Sequence, residues 1–206
     1  MSVFKARKHK KPAAVLLSFI MIMSLCMTVY ADVKKNSLSN MAAGASPSGY
    51  TYSNAKICVS KIRKVLTLYE GGKITGEWPC NIGTYSGEGD KKQEGDSTTP
   101  SGNFYVCTRN DKSVCYLALG ISYPSADDAE RGLKSGLISS DQYNAIKTAI
   151  RNHRQPLWDT ALGGEVEIHG YYTEGGTTHG CVAVENSVMD ILWAKCPMGT
   201  PIQIGP

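Results

Sequence analysis

Residues 168–186 read IHGYYTEGGTTHGCVAVEN, placing two histidines and a cysteine among glycines and small hydroxyl residues. Acyl transfer by cysteine needs a thiolate, yet a free thiol of pKa about 8.5 is only a few per cent ionised at neutral pH. An imidazole beside it can take the proton, and backbone N–H groups can hold the oxyanion that forms at the attacked carbonyl. Glycine next to the nucleophile lets the chain turn tightly and the substrate approach. This stretch supplies each part. Cys181 is the candidate nucleophile and His169, at the exit of a strand ending in Ile168, the candidate base, with the Gly170 carbonyl available to orient its ring. The N–H groups near Gly180 and Cys181 are the oxyanion donors. His179 is a second histidine that shapes the loop or donates a hydrogen bond.

Other readings of the same residues stay open. A histidine or cysteine in a β-rich domain is commonly structural. His169, His179 and Cys181 are all zinc-binding types, but no fourth ligand is obviously placed and no C-x-x-C pair occurs. No metal or other cofactor is therefore expected. A papain-like arrangement fails on order, because those enzymes place the cysteine before the histidine.

The elements around the stretch read as one mostly-β domain, sandwich-like, with a small helical insertion and a short C-terminal helix before the last strand. Val65, Leu66, Leu68 and Tyr69 lead into Glu70-Gly71-Gly72, a turn signal, and Ile74 resumes a strand. Residues 85–102 are too polar for core and read as a long exposed loop ending in Thr99-Pro100-Ser101-Gly102. Strands follow at 103–108 and 114–119. Residues 126–152 turn helical, with Ser140 as a cap and Tyr143, Ile146 and Ile150 on one face. Short strands return at 165–168 and 182–184. Ser187-Val188-Met189-Asp190 reads as a capping box opening a helix to Lys195, stopped by Pro197, before a final strand at 201–204.

Of the 22 lysines and arginines, five lie in the first eleven residues, leaving 17 basic against 18 acidic residues from Asp32 onward, a net charge of −1. The body therefore has no basic excess for a nucleic-acid backbone, and no nucleic-acid partner is expected. The basic start runs into the uncharged AAVLLSFIMIMSLCMTVY, residues 13–30. This is the layout of an export signal. Residues 1–31 are expected to be a signal peptide, cut after Val29-Tyr30-Ala31, or an N-terminal membrane anchor. Residues 32–52 read as a flexible linker and 53–206 as the catalytic domain, outside the cytoplasm in either case. Cys26 lacks the small preceding residue of a lipidated cysteine. Six cysteines remain in the exported body, and Cys107 with Cys115, flanking a hairpin, are the expected bridge.

Taken together, His169-Gly170, Thr178-His179-Gly180-Cys181 and Asn186 resemble the L,D-transpeptidase catalytic domain family (YkuD type), which modifies bacterial peptidoglycan. Thr99-Pro100-Ser101-Gly102, Gly95-Asp96 and the closing Gly199-Thr200-Pro201 extend the resemblance over residues 53–206. Two features depart from it. Ala183 stands where many members carry an arginine, and the His169-to-Cys181 spacing is short, as in a branch with a small residue there. The resemblance implies a peptidoglycan L,D-transpeptidase: Cys181 attacks the third-residue carbonyl of a tetrapeptide stem, expels D-Ala, and passes the acyl group to an amine. Its implied substrate contacts are Tyr123, Thr178, Asn186 and Gly170, and it implies a carbapenem adduct at Cys181. A hydrolase with the same chemistry, whether an L,D-carboxypeptidase or a protein–peptidoglycan amidase, and a non-catalytic wall-binding module are the alternatives.

Overall fold

The structure is a computed structural model and describes residues 53–206. The expected leader and the whole of the expected linker, residues 32–52, lie outside the described residues. Among these residues no helix is long and apolar enough to cross a membrane.

Eight strands form one curled sheet: β1 (Ala55–Ser60), β2 (Val65–Glu70), β3 (Lys73–Pro79), β4 (Gly102–Ser113), β5 (Tyr116–Ile121), β6 (Glu167–His169), β7 (Val182–Ala183) and β8 (Pro201–Gly205). Their order is β3-β2-β1-β8-β4-β5-β6-β7. The β2–β3 hairpin turns on Gly71 (φ 57°) and Gly72 (φ 78°). Both lie in the left-handed region that a two-residue hairpin loop requires. β4 joins the two halves of the sheet. Its first residues pair with β8 and the rest pair with β5, with irregularities at Val106/Thr108 and Asn110/Ser113 that bend it.

Strand alternation fills the core. Ile57, Val59, Leu66, Leu68, Phe104, Val106, Leu119, Ile121, Ile168, Val182, Ile202 and Ile204 all point inward. Helix α3 (Asn186–Lys195, the third α-helix among the described residues) closes it with Val188, Met189 and Leu192. At its far end Arg109 donates to the carbonyls of Trp193 and Cys196 and stacks 3.9 Å from the Trp193 ring.

The helical insertion is two helices. α1 (Ala126–Lys134) carries a capping box between Ser125 and Asp128. Gly136, at φ 73°, follows its end. α2 (Ser140–Arg151) is capped by Ser139 with Gln142, one residue earlier than the sequence pattern places it. Ile146 is buried, and Tyr143 and Ile150 pack beside it in a satellite core with Ala129, Ile138 and Leu162.

Three expectations are corrected. α3 begins after Glu185 with no side-chain cap, and the hydroxyl of Ser187 turns to the Glu185 carboxylate instead. The polar loop before β4 is not wholly exposed: Ser86, Lys91, Thr98 and Thr99 are buried, their polar groups satisfied by internal hydrogen bonds. All six cysteines of the described residues are free. Cys107 is buried where β4 meets Gly120 and Ile121, whereas Cys115 lies at the turn between Ser113 and Tyr116. The hairpin register keeps them apart.

Candidate active site

His169 ends β6, paired with Ala118 of β5 on one side and Ala183 of β7 on the other. Its Nδ1 lies 2.7 Å from the carbonyl oxygen of Gly170. A carbonyl can only accept, so Nδ1 carries the proton and Nε2 is left as the basic nitrogen. Burial of the ring pulls its pKa below the ordinary value against the opposing pull of that carbonyl, so the resting imidazole is neutral. Gly170 is clamped. Its N–H donates to the carbonyl of Cys115, and a Cβ there would collide with the Asn186 side chain and lie 2.9 Å from that same carbonyl. Asn186 Oδ1 in turn accepts from the N–H of Tyr171 at 3.0 Å. Gly170 and Asn186 thus form the mounting of the histidine.

Cys181, the candidate nucleophile, has its own mounting. Thr178 Oγ1 donates to the Cys181 carbonyl at 2.7 Å and accepts from the N–H of Gly180 at 3.1 Å. Buried Thr99, from the Thr-Pro-Ser-Gly element, accepts from the N–H of Gly83 at 2.8 Å and donates to the same Cys181 carbonyl at 3.4 Å. Gly180 sits at φ 133°, and a Cβ would come 3.1 Å from the Thr98 carbonyl oxygen. Because its N–H is occupied by Thr178, Gly180 is not an oxyanion donor in this state. Among the described residues no acceptor lies on the N–H of His179 or Cys181.

The sulfur of Cys181 accepts from the backbone N–H of Glu167 at 3.4 Å and lies 3.5 Å from the Glu165 carbonyl oxygen, to which its own S–H can donate. Burial, more than any neighbour, pushes the thiol up to about 11. The Glu167 carboxylate adds to that, while the Glu167 N–H and the Lys91 ammonium oppose it. No hydrogen bond joins His169 to Cys181. The register sets the histidine opposite Ala183, two residues along from the cysteine.

One face of Cys181 opens on a cleft of about 870 Å³, walled by Pro156, Leu157, Trp158, Gly163 and Gly164 on one side and by Lys91, Glu94, His179 and Gly180 on the other. Asp159 and Glu165 add negative charge to it. His179 is exposed there. Tyr123, expected at the substrate, is instead fully buried: its hydroxyl donates to the Leu162 carbonyl at 3.0 Å, and its ring packs against Phe104. Lys91 lies over that ring at 5.8 Å and pairs with Asp96 at 2.8 Å, its side chain 5% exposed. Ala183, at the position where an arginine would be expected, is buried and exchanges both backbone hydrogen bonds with Asn81.

Sequence reasoning passed over Lys91, Trp158 and Glu167. Lys91 was hidden by its polar neighbours and Trp158 by a segment without periodicity. Glu167 was legible in the alternation Glu165-x-Glu167-x-His169, which puts Glu167 and His169 on one side of β6 while Ile168 enters the core.

The L,D-transpeptidase catalytic domain (YkuD) profile matches residues 54–204. Similar folds include the helical cell shape determining protein Pgp2 from Campylobacter jejuni (23% identity, 76% of this chain, 49% of that chain, TM-score 0.50). Bd1075 from Bdellovibrio bacteriovorus is similar too (22%, 76% and 50%, TM-score 0.49). So is an L,D-transpeptidase from Xylanimonas cellulosilytica (18%, 82% and 69%, TM-score 0.45). The chain spans about half the length of the first two. Among curated proteins there is no significant match. The matched residues cover His169, Gly170, Thr178–Cys181 and Asn186, and the chain belongs to the L,D-transpeptidase catalytic domain family.

Proposed function

We propose that the protein is an exported L,D-transpeptidase that crosslinks peptidoglycan through a Cys181 acyl-enzyme. The observation that carries this reading is a half-buried thiol on the edge of a cleft, one strand from an imidazole whose Nδ1 is committed to a backbone carbonyl and whose Nε2 is free. Substrate entry brings the thiol off the Glu165 carbonyl and toward Nε2; such catalytic contacts are often long in an unliganded protein and tighten in the complex. Cys181 then attacks the carbonyl of the third residue of a tetrapeptide stem, and His169 takes the thiol proton. The oxyanion is held by the N–H of Cys181 and of His179, the tetrahedral intermediate collapses with C–N cleavage, and imidazolium returns the proton to the departing D-Ala amine. A primary amine of a neighbouring stem then displaces sulfur and forms a crosslink between third residues.

The export layout of residues 1–31 supports placing the domain outside the cytoplasm, free or membrane-anchored at the wall. The shared fold with a cell shape determining protein supports wall remodelling as its setting. Incubation with tetrapeptide muropeptides tests the reading. Crosslinked dimers and D-Ala are expected from the wild type and neither from Cys181→Ala. Tripeptide alone would make it an L,D-carboxypeptidase. A carbapenem is expected to leave a covalent adduct on Cys181. With no adduct and no product, the domain would be a wall-binding module.

A further inference from the structure

Two carboxylates stand at the nucleophile with no role in forming the thioester. Glu167 is the strand neighbour of His169 and gives its own N–H to the sulfur. Its side chain is half-buried and has no hydrogen bond or ion pair among the described residues. An unpaired carboxyl in that setting is costly unless it has a function. Glu165, two residues earlier, is exposed on the cleft beside Cys181 and is held at φ 51°. Non-glycine residues seldom occupy that left-handed region. Across β5 the partner of Glu167 is Gly120, and the Trp158 ring of the cleft wall lies so close that a Cβ on Gly120 would come 2.9 Å from it. Glu167 is therefore on the same side of the sheet as the Trp158 ring of the cleft wall, with its backbone N–H on the thiol, though its own side chain does not line the cleft. Its burial and the Glu165 charge push its carboxyl up.

We propose that Glu167, with Glu165 beside it, forms the acceptor half of the site: the pair receives the ammonium group of the incoming stem, and Glu167 takes the proton that makes it an attacking amine. This rests on the transpeptidase reading above. An amine reaches the wall as R–NH3+, which has no lone pair to attack with. Transfer of one proton to the Glu167 carboxylate gives R–NH2. Its nitrogen attacks the thioester carbonyl, the C–N bond forms, and the C–S bond breaks. The second nitrogen proton passes through His169 to the departing sulfur and regenerates the thiol, and Glu167 returns the first proton to solvent. The sum is ammonium plus thioester giving amide, thiol and one proton. Water as acceptor needs no such deprotonation by a carboxylate, so the pair biases the thioester toward crosslinking over hydrolysis.

The test is the ratio of dimer to tripeptide produced by the full chain from tetrapeptide muropeptides. Glu167→Gln, nearly isosteric, is expected to lower that ratio at least tenfold and to raise the KM for the acceptor. Glu167→Asp keeps the carboxylate and should recover at least a third of the wild-type ratio. An unchanged ratio in Glu167→Gln, dimer and tripeptide falling together, or Glu167→Asp no better than Glu167→Gln would each overturn the assignment. So would a wild type that makes tripeptide only. If the wild type releases no D-Ala at all, the transpeptidase reading itself falls, a result distinct from D-Ala release with an unshifted ratio.

Discussion

Cys181 is bonded to Glu167, not to its expected base: the sulfur accepts the backbone N–H of Glu167 at 3.4 Å, on the strand that ends in His169. Burial favours the protonated thiol there, against the pull of the Glu167 N–H, which favours the thiolate. On the transpeptidase reading proposed above, activation is then tied to occupancy of the cleft.

That state is measurable by alkylation. With the thiol pushed up to about 11, chiefly by burial, its ionised fraction stays small through neutral pH. The rate of Cys181 modification by iodoacetamide is expected to rise roughly tenfold per pH unit between about pH 7 and about pH 9, following the thiolate fraction. A plateau reached below about pH 8 would show instead a resting thiolate paired with imidazolium.

The two histidines separate by substitution. His169→Ala is expected to slow D-Ala release at least about a hundredfold, the ordinary contribution of a positioned base. His179, exposed on the cleft, should cost less when replaced by alanine. The reverse ranking would exchange their roles.

Activity should also extend further into acid than an ordinary histidine would allow. Burial depresses the His169 pKa. The base therefore stays neutral as pH falls through about 6.5 and is lost only below that. The acid limb of kcat/KM against pH is the measurement, and an inflection above about pH 7 contradicts the assignment.

Gly170→Ala tests the mounting of the base. The added methyl would meet the Asn186 side chain and lie 2.9 Å from the Cys115 carbonyl oxygen, so the 170–172 backbone must move and carry the ring's hydrogen-bond acceptor with it. D-Ala release is expected to fall at least about tenfold with the melting temperature lowered, since overpacking costs about 1–3 kcal/mol. Wild-type activity in this variant would mean that the ring is not held through Gly170.

Asp96 anchors the loop behind the cleft. Burial raises its carboxyl pKa, but the Lys91 ammonium and the N–H groups of Lys92, Gln93 and Thr98 outweigh that and hold it below the ordinary value. A depressed carboxylate stabilises the fold above its unfolded pKa of about 3.9 and loses that contribution as pH falls through the lower folded value. Lys91 is left buried without its partner when Asp96 is removed. Asp96→Ala is therefore expected to destabilise the domain by about 3–5 kcal/mol at about pH 7, and by less near about pH 2, as read from urea midpoints.

Much of this was legible in the residue order. Alternation located the strands, because one face of each enters the core, although β4 runs on past Thr108 to Ser113. The His169 and Cys181 stretches were legible because glycines and hydroxyls at fixed spacing mark a tight turn. What escaped depended on distant partners or on the choice between adjacent hydroxyls. Ser139 takes the cap from Ser140 because its hydroxyl and Gln142 bond reciprocally with the first turn. Lys91 is buried because Asp96 and the Tyr123 ring await it, which no local polarity count reveals. Tyr123 reads as a half-wet residue until Leu162, far along the chain, supplies an acceptor for its hydroxyl.

Asn81 ties together the two halves of the loop between His169 and Cys181. Its backbone pairs both ways with Ala183, while its side chain donates to the carbonyls of Thr173 and Gly176 and accepts from the N–H of Thr173. One amide thus gauges the length of the connection that separates His169 from Cys181. An insertion between Thr173 and Gly176 must break at least one of those bonds, so any lengthened version of this connection would need a different residue in place of Asn81, and the two should change together.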